Sequence, residues 1–205
     1  MKKVLVLSSV LLMVFPTYSL ASVIHFDEFG TSPVLNVNGM DVFGVAFGFT
    51  PGRVYPDDEA YYNGQIGTAG LAVLVSDPLL TGPSDGTLRL AFHDPTPLLQ
   101  FDLILQTLDT IDTAYSVTLS SGEVLSGSTT PQPGGFYSEG TFRYSGAPIT
   151  RADITFFQGP DSIGGNVSAF GLDNLTYEAP EPGTPLLLAG ALLAVGVLSR
   201  RRARG

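Results

Sequence analysis

Apolar side chains along this chain recur at every second position, the spacing that places them on one face of a β-strand. In the clearest run, Phe43, Val45, Phe47 and Phe49 alternate with glycine and alanine. The bare second face predicts that another backbone lies close to this strand. Similar alternation covers residues 88–92, 101–105, 115–119, 142–144 and 152–156, and no apolar stripe with helical spacing runs through residues 22–178. The pattern predicts an all-β domain.

Breaks in the alternation predict where strands end. Pro95 and Pro97 predict the end of the 88–92 strand, because proline cannot donate a hydrogen bond to its neighbour. Residues 120–123, Ser-Ser-Gly-Glu, predict a hairpin turn. Leu71–Val75 form a continuous apolar run that favours a short buried strand. Residues 50–70 show no period at all, which is typical of a functional loop or of disorder, and the tyrosines in this stretch favour the loop.

The last alternating stretch, residues 169–177, changes parity part-way. Phe170 and Leu172 fall on one face of a regular strand, whereas Leu175 and Tyr177 fall on the other. A β-bulge at Asp173-Asn174 would return all four to the core and turn the two polar side chains sideways. Eight or nine such strands at about ten-residue spacing predict an antiparallel β-sandwich or jelly roll.

Both chain ends have the composition of targeting segments. Residues 1–21 start with two lysines, continue with an apolar run and end in Ser-Leu-Ala, which predicts a secretory signal peptide helix. Residues 179–205 contain a Pro-Glu-Pro-Gly breaker, an uncharged apolar run over 185–199 and four arginines. That run makes a transmembrane helix of about 22 Å, with the arginines on the cytoplasmic side. Residues 22–178 then form one domain outside the cytoplasm. The alternatives are a retained N-terminal anchor and an ordinary C-terminal anchor.

Charge and composition exclude several classes of function. Between residues 22 and 178, eighteen acidic residues stand against four arginines and no lysine, a net charge of −14. Such a surface repels nucleic acid, which requires a basic patch. The chain has no cysteine, so disulfides, thiolate zinc sites and cysteine nucleophiles are absent. An exported domain of this kind depends on its core or on bound ions for stability.

The C-terminal segment resembles the PEP-CTERM sorting signal of Gram-negative bacteria. The resemblance rests on Pro180, Glu181, Pro182 and Gly183, followed in order by the apolar helix and the arginines. It implies recognition by an exosortase, a membrane enzyme that removes the helix. It also implies an inner-membrane-anchored precursor whose processed form lies at the cell surface or in the extracellular matrix, associated with exopolysaccharide.

The domain itself is similar to ectodomains that precede such signals, which look like jelly rolls of the carbohydrate-binding-module type. The stretches that carry this likeness are IHFDEFG, GVAFGF and AFGLDNLTYE. The likeness implies a structural calcium ion where the first and last strands meet, with Asp27 or Glu28 from the first strand and Asp173 from the last as candidate ligands. Carboxylate oxygens are the ligands that calcium prefers. The alternative is that Asp173 and Asn174 only complete a turn through side-chain hydrogen bonds.

The expected function is that of an exported, non-enzymatic surface or matrix protein. A lectin-like module is the first alternative, with Tyr55, Tyr61 and Tyr62 as the ligand loop and Phe136 and Tyr137 as further exposed aromatics. A hydrolase is the second. No nucleophile elbow accompanies His25 or His93, and eighteen acids always include some pair at a glycosidase spacing. For a hydrolase, two carboxylates would have to share a cleft.

Overall fold

The fold is known from a computed structural model that describes residues 20–28, 34–52, 58–65, 72–106, 113–133, 137–156 and 169–179. All of them lie in one compact unit, Leu20–Pro180. Every regular element in these ranges is a strand, which confirms the all-β prediction. None of the described residues forms a helix able to cross a membrane. The predicted C-terminal helix, the Pro180–Gly183 motif and residues 1–19 of the predicted signal peptide lie outside these ranges.

Within the described ranges, eleven strands pair into one antiparallel sheet. The first, β1, begins two residues before Ser22, the predicted mature terminus. In chain order the strands are β1 Leu20–Ile24, β2 Leu35–Asn36, β3 Asp41–Val42, β4 Val45–Thr50, β5 Tyr61–Gly64, β6 Leu79–Pro83, β7 Thr87–Gln106, β8 Thr113–Leu119, β9 Val124–Pro131, β10 Tyr137–Phe156 and β11 Ala169–Ala179.

Two long strands, β7 and β10, run through the whole sheet and pair with each other along most of their length. Residues 87–92 of β7 and 151–156 of β10 lie between β4 and β8, and these strands with β3 and β9 make layer one. Residues 98–106 of β7 lie between β11 and residues 137–145 of β10, and these strands with β1, β2, β5 and β6 make layer two. One continuous sheet therefore supplies both layers.

Aromatic contacts join the inner faces of the two layers into one core. Phe170 of layer two stacks on Phe156 of layer one with ring centroids 4.3 Å apart, and lies 6.0 Å from Phe49. Phe92 and Tyr177 make a further contact at 5.7 Å. Each such pair contributes about 0.5–1.5 kcal/mol beyond simple burial. The face-to-face packing supports the predicted β-sandwich.

The predicted strand end at Pro95 and Pro97 is wrong, because β7 continues through both residues. The prolines are tolerated since the pairing with β10 is irregular at both: Pro95 lies in the interruption between Ala91 and Thr96, and Pro97 lies at the register shift between Thr96 and Leu98. Between Phe92 and Leu99 the buried parity of β7 changes: Leu88, Leu90 and Phe92 face the core on one side, and Leu99, Phe101, Leu103 and Leu105 face it on the other. The prolines lie where the strand passes between layers.

Two other local predictions are wrong. Residues 72–76, the described part of the predicted Leu71–Val75 strand and its continuation, contain no strand. Val73 is 79% exposed, and its peptide N–H donates to the carboxylate of Glu139 instead of to a neighbouring strand. Conversely, β5 lies inside the stretch predicted to be irregular, where Tyr61 pairs with Asn36 on one side and Thr81 on the other.

The predicted bulge and hairpin are confirmed. The register between β11 and β7 shifts between Asp173 and Thr176, and Asn174 has φ of 52°. As a result Phe170, Leu172, Leu175 and Tyr177 are all buried. The β8–β9 hairpin turns at residues 120–123, where Gly122 has φ of 87°, a conformation that glycine adopts without strain.

Candidate functional site

The outward face of layer two carries three acidic side chains on three adjacent strands. Asp102 of β7 lies directly opposite Asp173 of β11 in the strand register, and Glu139 of β10 lies opposite Ile104. Asp173 and Glu139 are each only 3% exposed. We call these three residues the carboxylate cluster. The part of the outward face that the cluster occupies is called the covered face.

Residues 72–78, the covering segment, lie over this cluster. The Glu139 carboxylate accepts hydrogen bonds from the peptide N–H groups of Val73, at 3.0 and 3.1 Å, and Leu74, at 3.0 Å. The Asp173 carboxylate accepts from the N–H of Ser76 at 3.1 Å. Beneath the segment a small apolar cluster of Val75, Leu79, Ile104 and Tyr137 is buried apart from the main core.

Asn174, at the bulge, connects the elements around the cluster. Its side-chain NH₂ donates to the carbonyl of Leu74 at 3.1 Å and to Asp102 at 3.0 Å, and its oxygen lies 2.9 Å from Nδ1 of His25. Asp102 also accepts from the hydroxyl of Thr141 at 2.6 Å. The Asn174 side chain, whose sideways direction the parity change predicts, thus connects β7, β11, the covering segment and His25, the residue that follows β1.

Burial raises the pKa of Asp173 to about 6, and the negative charge of Asp102 acts in the same direction. The N–H groups of Ser76 and Asn174 and the charge of His25 oppose the shift, because they favour the ionised form. Removal from water is the largest of these effects. Asp173 is therefore the described carboxyl whose charge state is most strongly affected by its surroundings.

The predicted calcium ligands are distributed around this region without converging. Glu28 accepts from the N–H of His25 at 2.7 Å and from the hydroxyl of Tyr62 at 2.5 Å. Both oxygens of Asp173 accept peptide hydrogen bonds, and Asp27 is exposed. Among the described residues no three acidic or histidine side chains form a metal-binding group. The arrangement shown does not fit calcium, and the ion stays a prediction.

The carboxylate pair that the structure brings together does not form a hydrolytic site. Asp102 and Asp173 are neighbours, but their oxygens accept hydrogen bonds from Thr141, Ser76 and Asn174. A glycoside hydrolase needs two carboxyl groups facing a space that admits the sugar. Here the covering segment occupies that space.

Two tyrosines of the predicted ligand loop differ in orientation, because one points into the core and the other is exposed. Tyr62 is fully buried in the core, 5.0 Å from the ring of Phe26, so its ring is not available for stacking on a ligand. Tyr61 is 38% exposed and donates from its hydroxyl to Glu59 at 3.2 Å. Tyr137 belongs to the small buried cluster. Tyr55 and Phe136 lie outside the described residues.

The outward face of layer one has a different character, and we call it the open face. Its floor consists of Ala46, Gly48 and Ala91, which lie side by side on β4 and β7. A Cβ atom added to Gly48 would find its nearest described neighbours, Asn38 and Arg89, at 3.8 and 3.9 Å, an ordinary contact distance. The backbone predicted to approach this strand is therefore not found among the described residues.

Charged side chains of both signs rim this floor. On one side Asp153 receives Nε of Arg89 at 2.8 Å and Nε of Arg151 at 3.2 Å. On the other side Asp41 lies 2.5 Å from Nε2 of His93, and both side chains are about half exposed. The cross-strand pairs Arg89–Asp153 and Asp41–Ala46–Ala91 place all of these groups on the same side of the sheet.

The open face was missed by sequence reasoning, although part of its signal was visible. The glycine and alanine positions of β4 by themselves predict a strand face without large side chains. Arg89 of β7 is more than sixty residues from Arg151 and Asp153 of β10, and the sequence pattern does not show that the three side chains align beside this face. Cross-strand register, which no local pattern encodes, assembles the site.

No family model and no curated protein matches this sequence. Among solved structures, the chain is similar to a family 29 carbohydrate-binding module, at 13% identity over 78% of this chain and 88% of that one, with a TM-score of 0.36. An aspartate-to-alanine variant of a family 29 module, complexed with mannohexaose, gives 14% identity over 78% and 92%, with a TM-score of 0.35. Likenesses this distant carry no argument about function.

Proposed function

We propose that this protein is an exported, non-enzymatic carbohydrate-binding protein that holds a neutral saccharide chain on its open face. The observation that supports this proposal is the floor of Ala46, Gly48 and Ala91, rimmed on both sides by paired charged groups. Small side chains let a flat ligand approach the sheet closely. The rim supplies hydrogen-bond donors and acceptors for hydroxyl groups.

The charges of the rim favour a neutral ligand over an anionic one. Arg89 and Arg151 carry two positive charges, and Asp153 and Asp41 carry two negative ones, so the arginine and aspartate charges of the rim balance before any ligand binds. The outer N–H groups of the guanidinium ions can still donate to hydroxyls, because each guanidinium has five donors. The surplus of acids on the domain repels anionic polymers at longer range.

Titration of the purified full-length protein with cellohexaose, mannohexaose and an oligouronate of equal length tests this proposal. We expect a neutral hexasaccharide to bind and the oligouronate not to. Arg151→Gln should weaken binding about tenfold, since a hydrogen bond from a charged donor contributes about 1.5 kcal/mol or more. Arg143→Gln is the matched control, because it removes the same charge from layer two. Equal losses in both variants, or no saccharide binding by the wild type, would contradict the proposal.

The route to the cell surface belongs to the same proposal. The resemblance of Pro180, Glu181, Pro182 and Gly183 to a PEP-CTERM signal supports processing by an exosortase and association with exopolysaccharide. Replacing residues 180–182 by alanine should make the unprocessed precursor accumulate in the inner membrane, as seen by immunoblotting of membrane fractions. Normal processing of that variant would refute the sorting role.

A further inference from the structure

Phe43 departs from the pattern that surrounds it. Sequence alternation placed it in the core with Val45, Phe47 and Phe49, and those three are buried. Phe43 itself is 63% exposed, because it lies at the tip of the β3–β4 hairpin, where the alternation of the strand ends. Among the described phenylalanine and tyrosine side chains, Tyr61 has the one other exposed ring, at 38%.

The backbone of Phe43 has a conformation that an aromatic residue rarely adopts. Its φ is 51°, and φ of the following Gly44 is 86°. Two consecutive positive values characterise the type I′ turn, which favours asparagine, aspartate or glycine at its first position. A phenylalanine there is strained, and such strain persists only where the surroundings hold the turn in place.

Hydrogen bonds from two other strands hold this turn. The hydroxyl of Tyr177 donates to the carbonyl of Phe43, and the N–H of His93 donates to the carbonyl of Gly44 at 2.9 Å. His93 is also the partner of Asp41 on the open face. The backbone of this turn is therefore held at the end of the open face, two residues from Asp41 and hydrogen-bonded to His93.

We propose that Phe43 is a stacking platform for one neutral sugar ring, at the end of the open face. This inference rests on the proposed function and assigns a residue that determines where the saccharide sits. The C–H face of a pyranose is apolar and flat, so it can cover the phenyl ring, while its hydroxyls extend sideways to Asp41 and His93. An exposed aromatic beside convergent polar groups is the usual composition of such a subsite.

The neighbouring charges distinguish a sugar from a cation. An exposed aromatic ring with a carboxylate could also hold an ammonium group through a cation–π contact. Asp41, however, already has Nε2 of His93 at 2.5 Å, so its carboxylate is engaged before a ligand arrives. The Asp41–His93 pair therefore offers a ligand hydrogen-bonding groups, and hydroxyl groups are the partners that suit it best.

Two substitutions at this hairpin and a control elsewhere separate a binding role from a structural one. Phe43→Asn removes the ring but suits the turn, so the melting temperature should rise while affinity for the neutral hexasaccharide that binds best falls about tenfold. Phe43→Tyr keeps the ring and should bind within about twofold of the wild type. Val124→Ala, which truncates an apolar side chain that is 60% exposed beside the other hairpin, is the control and should leave affinity unchanged.

The outcomes separate this inference from the proposed function. If the wild type binds no saccharide, the proposed function fails and this inference with it. If the wild type binds and Arg151→Gln weakens binding, but Phe43→Asn does not, the stacking role alone is overturned. A change in the sedimentation coefficient of Phe43→Asn, with unchanged saccharide binding, would assign the ring to self-association and would also overturn the inference.

Discussion

The outward faces of the two layers differ in what covers them. On layer two, three acidic side chains turn outwards, and two of them, Asp173 and Glu139, are buried again by the peptide groups of residues 72–78. On layer one, the outward side chains are small or paired with an opposite charge, and the floor around Gly48 stays open among the described residues. Both faces are polar, but the first uses its polar groups to fix the chain and the second leaves them exposed.

The difference shows why acidic residues alone do not locate a site in this protein. Asp173 and Glu139 are conspicuous because they are buried, yet their oxygens already accept hydrogen bonds from the backbone. A buried charge needs such partners, since an unpaired one would destabilise the fold by several kcal/mol. On the open face, the side chains of Arg89 and Arg151 are 55% and 45% exposed, and each guanidinium has N–H donors beyond the one that faces Asp153.

The largest effect should come from removing the carboxylate that holds the covering segment. Glu139→Ala leaves the N–H groups of Val73 and Leu74 without their acceptor, and we expect a loss of about 3 kcal/mol in the free energy of unfolding. Urea denaturation measures it. Glu123→Ala, at an exposed position on the β8–β9 turn, should change the free energy by less than about 0.5 kcal/mol. Equal midpoints for the two variants would show that Glu139 does not anchor the segment.

A smaller effect should follow from the charge of Asp173. Its pKa is raised to about 6 by burial, whereas an unfolded aspartate titrates near 3.9. The native state therefore binds the proton of Asp173 more tightly than the unfolded state does. The stability that this proton contributes is fully present below about pH 4 and is lost as pH rises through about 6. Relative to Asp173→Asn, the wild type should lose roughly 2 kcal/mol between these limits.

Unfolding curves of the wild type and of Asp173→Asn also test the calcium prediction. A cation bound to Asp173 favours the ionised carboxylate, so with calcium the wild type should gain stability over Asp173→Asn as pH rises. Unfolding curves at pH 4 and 7, each with calcium and with chelator, distinguish the two signs. If calcium leaves the pH dependence of the difference unchanged, no ion binds at Asp173.

Sequence periodicity predicted the parts of this fold that depend on neighbours along the chain. The bulge at Asp173-Asn174 followed from four apolar positions with a parity change, and the β8–β9 turn followed from a glycine in a polar tetrapeptide. Residues 72–76 were mispredicted because their amides bind Glu139, 65 or 66 residues away. Phe43 was mispredicted because alternation alone does not show where a two-residue turn begins. Both failures fall where the chain departs from regular pairing.

The smallest effect concerns the floor of the open face. Gly48→Ala adds a methyl group at ordinary contact distance and reduces the freedom of the unfolded chain, so we expect a gain of about 0.5 kcal/mol in unfolding free energy. Affinity for the hexasaccharide should nevertheless fall, because the methyl raises the floor beneath the ligand. Gly82→Ala is the contrasting variant, since its Cβ would lie 2.8 Å from Ala60 and Phe170 and should destabilise the fold. Thermal melts and hexasaccharide titrations of both variants decide the matter. A Gly48→Ala variant that is more stable and binds as well as the wild type would mean that the saccharide does not lie on this floor.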